Sequence, residues 1–196
     1  GGAVYDLQEI EKISALCKRT GLPLHLDGAR VFNALAVHQV EAAIYGAYFD
    51  SISICLSKGL GAPVGSLLLG NTEFIEKARR VRKVMGGGMR QAGIIAAGGL
   101  YALQNNVQRI EQDHQNAKLL EVALLNCSWI REVLPVQTNI VVAMLKEAEK
   151  RDELIDFLKQ KGILCMAFGP GMIRMVTHLD TSTEDCIFCA ETLEKM

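Results

Sequence analysis

Two segments of the sequence place a polar residue directly after an apolar strand, where it could do chemistry. In the first, LHLDGAR at residues 24–30, Asp27 stands at the carboxyl end of the strand, which is where α/β sheets present ligand-binding residues. An aspartate before Gly-Ala-Arg can also begin a helix as its N-cap. The segment alone is equally consistent with both roles for Asp27.

The second segment, ISICLSKGLGAPVGS at residues 52–66, carries Lys58 from a strand into a turn with three glycines. Glycines let the backbone and a ligand approach closely where side chains would block them. An ordinary turn lysine is the alternative, and propensity alone would favour it. The order of residues is not that of a phosphate-binding P-loop.

A strand-end carboxylate and a strand-end amine together suit the chemistry of pyridoxal phosphate. The amine of Lys58 can condense with the cofactor aldehyde, and the carboxylate of Asp27 can keep the pyridine nitrogen protonated. The protonated ring then accepts the electrons released when a bond to the substrate Cα breaks. We therefore predict pyridoxal 5'-phosphate as the cofactor and no bound metal.

The elements that must position these residues alternate between helix and strand, which is typical of an α/β protein. Asp6 precedes a helical pattern that should end near Gly21, because its apolar residues recur on one helix face. The patterns then predict strands at 22–27, 51–56 and 66–69. They predict a basic amphipathic helix over 73–85 with a buried stripe, and a long helix over 91–125 that bends at Gly98 and Gly99. The predicted stripe consists of Phe74, Ile75, Ala78, Val81 and Met85.

The pattern of elements changes near residue 128, which indicates two domains. Residues 1–127 are predicted to form an α/β domain of strands and covering helices that includes the long connecting helix. Residues 128–196 are predicted to form a small α+β domain. Its strands are expected at 140–145, 162–168 and 173–178, and its helices at 147–161 and from Thr183 onward.

Four runs of residues resemble, in order, the low-specificity L-threonine aldolases: HLDGARVFNA, FDSISICLSKGLGAPVGS, GGGMRQAG and RMVTHLD. That family uses pyridoxal phosphate and has the aspartate aminotransferase fold, type I. The resemblance covers almost the whole chain and implies the carboxy-terminal part of such an enzyme. Residues 1–127 would then be part of its large cofactor-binding domain, whose sheet is mostly parallel. The implied reaction is retro-aldol cleavage of L-threonine or L-allo-threonine to glycine and acetaldehyde.

The resemblance also implies a role for several residues. Lys58 matches the catalytic lysine that binds the cofactor covalently, and Asp27 matches the aspartate on the pyridine nitrogen. Arg30 and Arg174 match the arginines at the substrate carboxylate, a task that suits the paired donors of a guanidinium. Ser57 either contacts the cofactor phosphate or simply ends the strand. A surface role on its strand is the alternative for Arg174.

Three further residues carry weaker matches. Lys83 and Arg90 resemble positions that approach the active site of a neighbouring subunit, so the family resemblance implies a homodimer or homotetramer. The glycines before Arg90 could equally serve only to change the chain direction. His178 is a local candidate for the group that accepts the proton of the β-hydroxyl, with a structural role as the alternative.

Two other interpretations stay open beside a threonine aldolase. One is a different reaction of the same fold type, such as transamination. The other is a catalytically incomplete piece that only folds or associates with a partner, because the chain opens GGAVY and lacks the family's amino-terminal half. We expect the 196 residues alone to bind pyridoxal phosphate poorly.

Composition limits the remaining classes of function. The formal charge of −1, with acids and bases mixed along the chain, argues against a nucleic-acid or membrane partner. Six cysteines without a disulfide or zinc spacing indicate a reducing compartment. The Cys186-x-x-Cys189 pair is expected on a helix face. Cytoplasm is the expected location, with the mitochondrion left open because a targeting segment would precede Gly1.

Overall fold

The computed structural model describes all residues from Gly1 to Met196. They form two compact units, which we call the first unit (Tyr5–Ile110) and the second unit (Gly1–Val4 with Glu111–Met196). None of the helices combines the length and the apolar character that crossing a bilayer requires. The helices are α1 (Leu7–Thr20), α2 (Val31–His38), α3 (Ala42–Gly46), α4 (Thr72–Val84), α5 (Gly93–Asn105), α6 (Ile110–Asn126), α7 (Arg151–Gln160) and α8 (Thr183–Glu194). The strands are β1 (His25–Gly28), β2 (Ser51–Cys55), β3 (Ser66–Gly70), β4 (Ile130–Val133), β5 (Ile140–Leu145), β6 (Met166–Gly169) and β7 (Met172–Val176).

The first unit is built on a three-stranded sheet in the order β1-β2-β3. The α/β class is confirmed, but the sheet is mixed rather than mostly parallel: β1 and β2 are parallel, whereas β2 and β3 are antiparallel. The reason is the short connection 56–65, which contains no helix. A parallel return would need a crossover of about a dozen residues or more.

Helix α1 follows its sequence signals closely. The Asp6 carboxylate accepts hydrogen bonds from the backbone of Gln8 at 2.8 Å and Glu9 at 3.3 Å. Gly21 ends the helix in the left-handed conformation at φ 70°, where an L side chain would be strained. Both predicted ends of α1 are therefore confirmed.

Helix α4 occupies its predicted position but does not bury the predicted stripe. Phe74, Val81 and Met85 are 40%, 55% and 81% exposed, and no residue of α4 is buried. The helix meets the edge strand β3 through Phe74, whose ring lies against Gly70. An amphipathic pattern indicates which face can be buried, but it does not determine whether the chain supplies a neighbour for it.

The long helix predicted over 91–125 is two helices, α5 and α6, separated by residues 106–109. The break does not lie at Gly98 and Gly99, which are inside α5. These glycines instead allow close packing: a Cβ on Gly98 would lie 2.9 Å from Pro63 Cδ, and one on Gly99 would lie 2.7 Å from Leu56 Cδ1. The chain leaves α5 at Asn106, whose buried side chain bonds to another segment of the first unit.

The second unit has a four-stranded antiparallel sheet in the order β4-β5-β7-β6. Its predicted strands and final helix are present, although the strand predicted from residue 162 begins only at Met166. Strand β4 is an additional strand that sequence patterns did not predict. The core lies between one face of the sheet and the helices, with Leu158, Ile173 and Leu193 fully buried. The predicted domain boundary at residues 127 and 128 stays a prediction.

The cysteine pair of α8 belongs to this core. Cys186 and Cys189 are buried, and all six cysteines are free thiols. Burial raises the pKa of Cys186 to about 11 and that of Cys189 to about 12. Because the thiolate is the reactive form, these two thiols are inert packing residues in the folded chain.

Candidate active site

The candidate active site of the first unit lies at the carboxyl ends of β1 and β2. The two strands run parallel, with Asp27 beside Ser53 and Gly28 beside Ile54. Gly28 permits this close pairing, because a Cβ there would lie 2.8 Å from the Ser53 carbonyl oxygen. Because the two strands are parallel, the end of β1, which carries Asp27, and the turn after β2 lie at the same end of the sheet.

The Asp27 side chain is exposed and does not cap a helix. Its Oδ1 accepts a hydrogen bond from the Ala29 backbone N–H at 3.2 Å, which closes a local turn. Helix α2 begins later, at Val31, and the residue in its N-cap position, Arg30, makes no side-chain capping bond. Of the two roles that the sequence left open for Asp27, the helix cap is therefore not the one observed.

Lys58 lies on a turn that buried leucines and backbone hydrogen bonds hold in place. Leu56 and Leu60, on either side of it, are buried at 6% and 3% exposure, whereas Ser57 and Lys58 are exposed. The Leu56 N–H donates to the Gly65 carbonyl at 3.0 Å, and the Gly61 N–H donates to the Lys58 carbonyl at 2.8 Å. The result is an exposed primary amine on a fixed backbone.

Two asparagines that sequence reasoning missed support this turn. The Asn106 side chain, which is 8% exposed, donates to the Leu60 carbonyl at 2.7 Å. Asn33 is 3% exposed, and its Oδ1 would lie 3.4 Å from a Cβ on Gly59. An asparagine within the apolar stretch VFNALAV was a usable signal, because a buried amide has to find hydrogen-bond partners.

His25 is a polar neighbour of Asp27 on the same face of β1, two residues earlier. Its Nδ1 lies 2.8 Å from Ser51 Oγ on β2. The face of the sheet that carries Asp27 therefore also presents an imidazole and the serines of β2. An amine and a carboxylate at the carboxyl ends of adjacent parallel strands are a donor set that fits a cofactor with an aldehyde and a ring nitrogen.

In the second unit, Arg174 lies on β7 between Val142 of β5 and Met166 of β6. Its Nε is buried and has no hydrogen-bond partner. Its Nη2 lies 3.6 Å from the Met166 thioether sulfur, a weak acceptor, and its Cζ lies 5.4 Å from the centre of the Phe168 ring. A buried donor without an acceptor is costly, so this guanidinium is suited to an anion.

The remaining predicted residues lie on exposed or turn segments. The Lys83 side chain lies over Gly88, where a Cβ would come 2.8 Å from its Nζ, and Arg90 is exposed. Arg30 is partly buried at the start of α2. His178 Nδ1 accepts a hydrogen bond from the Asp180 N–H at 3.2 Å, a local turn contact of the second unit.

A family model and the curated relatives match this chain over most of its length. The model of the beta-eliminating lyase family matches residues 1–148. The chain is 41% identical to low-specificity L-threonine aldolase 1 of Arabidopsis thaliana, over 94% of this chain and 52% of that protein. It is 43% identical to the low specificity L-threonine aldolase of Escherichia coli K12, over 93% of this chain and 54% of that protein. The chain thus spans about half the length of these curated relatives.

Solved structures agree on the fold. The threonine aldolase of Leishmania major matches with a TM-score of 0.78 at 24% identity, covering 97% of this chain and 56% of that one. The histidinol-phosphate aminotransferase of Clostridium acetobutylicum matches with a TM-score of 0.70 at 13% identity, covering 100% and 60%. At these identities the likeness concerns the fold alone.

Proposed function

Because the chain belongs to the beta-eliminating lyase family, we propose that it is the carboxy-terminal part of a pyridoxal-phosphate-dependent threonine aldolase. The proposed reaction cleaves L-threonine or L-allo-threonine to glycine and acetaldehyde. The observation that carries this proposal is the exposed Lys58 amine on a fixed turn, at the same end of the sheet as the Asp27 carboxylate. Identities of 41% and 43% to proteins named low-specificity L-threonine aldolases support the substrate class.

Three residues of the first unit would hold the cofactor. When bound, pyridoxal phosphate supplies an electron sink for the bond that breaks at the substrate Cα. Lys58 would attach it covalently, and Asp27 would keep its ring nitrogen protonated. Ser57, exposed beside the lysine, would contact the phosphate. The polar face of β1 and β2 supports this role, since Asp27 there is free of helix capping.

Other residues would bind and orient the substrate. Arg174 and Arg30 would hold its carboxylate, which decides which Cα bond is broken. His178 is the proposed acceptor of the β-hydroxyl proton, which has to leave when the Cα–Cβ bond breaks and acetaldehyde forms. Lys83 and Arg90 would contribute to the site of a neighbouring subunit. The Nε of Arg174, which has no hydrogen-bond partner, supports the role of Arg174 in binding the carboxylate.

Association and location complete the proposal. A homodimer or homotetramer is supported by exposed apolar side chains on β3 and α4, among them Leu68, Val81 and Val84. The six free cysteines support a reducing compartment such as the cytoplasm.

The cofactor role of Lys58 can be tested by trapping. The chain is incubated with pyridoxal phosphate, reduced with cyanoborohydride and mapped by mass spectrometry. Because reduction traps even weakly bound cofactor, poor affinity of the chain for pyridoxal phosphate does not prevent the test. We expect modification to concentrate at Lys58 and to leave Lys77, an exposed lysine of α4 paired with Glu73, near background. Lys58→Ala should remove the dominant site, and Lys77→Ala should not. Equal modification of both lysines would refute the assignment.

A further inference from the structure

The surroundings of Arg174 contain a feature that the proposed function does not use. Met166 and Phe168 lie two residues apart on β6, the edge strand of the second unit, and both are exposed, at 59% and 41%. An exposed apolar edge strand can pair with another chain, which natural sequences usually avoid. Both of them, however, contact the Arg174 guanidinium.

The Phe168 ring contacts the Arg174 guanidinium, whereas the Nε and Nη2 atoms of the guanidinium have no oxygen acceptor. The Phe168 ring, 5.4 Å from Cζ, is within the range of a cation–π contact. Along the edge, Nε has no acceptor and Nη2 faces only the Met166 sulfur. The Nε–H and one Nη2–H point the same way in a guanidinium, and together they match the two oxygens of a carboxylate.

We infer that Phe168 is a positioning residue, whose ring holds the Arg174 guanidinium so that its Nε and Nη2 edge receives the substrate carboxylate side-on. The Met166 thioether takes the place of a carboxylate oxygen at Nη2 in the ligand-free chain. Its flexible, unbranched side chain moves aside when the carboxylate arrives. This inference rests on the proposed function, in which Arg174 binds the carboxylate of a β-hydroxy-α-amino acid.

The neighbouring strand explains why a support is needed. On β7, Ile173 and Met175 point to the core at 0% and 4% exposure, so Arg174 lies on the opposite face of the sheet. No carboxylate of the described chain forms an ion pair with Arg174 there. A long side chain without an anionic partner would occupy many rotamers, and the Phe168 ring reduces that freedom before the substrate binds.

The test follows the Nε–H resonance of Arg174 in chain labelled with ¹⁵N-arginine. In the ligand-free chain we expect a ring-current shift that Phe168→Leu removes and Phe168→Tyr retains. Phe188→Leu is the matched control, because Phe188 is a comparably exposed phenylalanine of α8 at 53%. The titration concerns only the contact between a carboxylate and the Arg174 guanidinium within the second unit, so it needs no bound cofactor. L-threonine should bind about three- to tenfold more weakly to Phe168→Leu, with Phe168→Tyr and Phe188→Leu close to the parent chain.

Two controls separate this inference from the proposed function. L-threonine amide lacks the carboxylate, so it should leave the Arg174 resonance unshifted. Arg174→Gln lacks the guanidinium and with it the observed resonance, so its expected loss of L-threonine binding is measured by calorimetry. If the amide shifts the resonance, if Arg174→Gln still binds L-threonine, or if L-threonine never shifts the resonance of the parent chain, the proposed role of Arg174 fails and the inference falls with it. If both behave as expected but Phe168→Leu keeps the parent shift and affinity, only the positioning role of Phe168 is overturned.

Discussion

Replacing Asn106 with alanine should loosen the turn that carries Lys58. The Asn106 amide donates to the Leu60 carbonyl at 2.7 Å in a buried setting. Its removal loses a hydrogen bond worth about 1 kcal/mol net and leaves a buried carbonyl unsatisfied, which adds about 1 to 2 kcal/mol. We therefore expect a loss of about 2 to 3 kcal/mol in the free energy of unfolding of the first unit.

Asn105 supplies a matched control one residue earlier, at the end of α5. Its side chain also donates to a backbone carbonyl, that of Tyr101 at 2.8 Å, but it is exposed. Water can replace this bond, so Asn105→Ala should cost less than about 0.5 kcal/mol.

Urea unfolding followed by circular dichroism would measure both losses. Hydrogen exchange of the Gly61 amide, which bonds to the Lys58 carbonyl, would report the turn itself. Exchange should accelerate in Asn106→Ala and stay unchanged in Asn105→Ala. Equal losses in the two variants, or an unchanged Gly61 amide in Asn106→Ala, would refute the idea that this one amide anchors the turn.

Three further predictions concern the second unit and the chain as a whole. In the capping box of α8, bonds from the Ser182 backbone and side chain lower the Asp185 pKa, so the box stabilises at neutral pH. That contribution should be lost as pH falls through the lowered pKa, and Asp185→Asn should lack this part of the pH dependence of unfolding. Cys186 and Cys189, with pKa raised to about 11 and about 12, should react slowly with iodoacetamide at pH 8 until urea unfolds the chain; fast labelling without urea would contradict their burial. The chain alone should release little glycine from L-threonine, because it spans about half the length of its curated relatives; normal turnover would contradict this expectation.

The exposed strand β3 is relevant to the expected low activity of the chain alone. Strand β3 is exposed along its whole length, and Leu67, Leu68 and Leu69 are each about 40% exposed. Three consecutive leucines are typical of a strand that is covered on both faces. Within the first unit they belong to an edge strand, so the sheet offers an apolar surface that a further polypeptide could cover.

Local chemistry determined much of this protein from sequence alone. The ends of α1 follow from Asp6 and Gly21, because a capping carboxylate and a left-handed glycine act within one turn of the backbone. The positions of Asp27 near the end of β1 and of Lys58 in the turn after β2 follow in the same way, since apolar runs and glycine turns are local signals. The family resemblance added the cofactor, the reaction and the role of each matched residue, and these roles remain proposals.

Tertiary structure alone decided the features that depend on distant partners. The bond from Asn106 to Leu60 and the packing of Gly99 on Leu56 join segments more than 40 positions apart, so no local pattern could predict them. The same holds for the apolar face of α4, where periodicity indicated a buried stripe and the fold covers it only in part, through the contact of Phe74 with Gly70. The guanidinium of Arg174 acquired its place against Phe168 only when β6 and β7 paired. Sequence identifies the groups that can do chemistry, whereas packing between distant segments decides which of them are held in place, exposed or left without a partner.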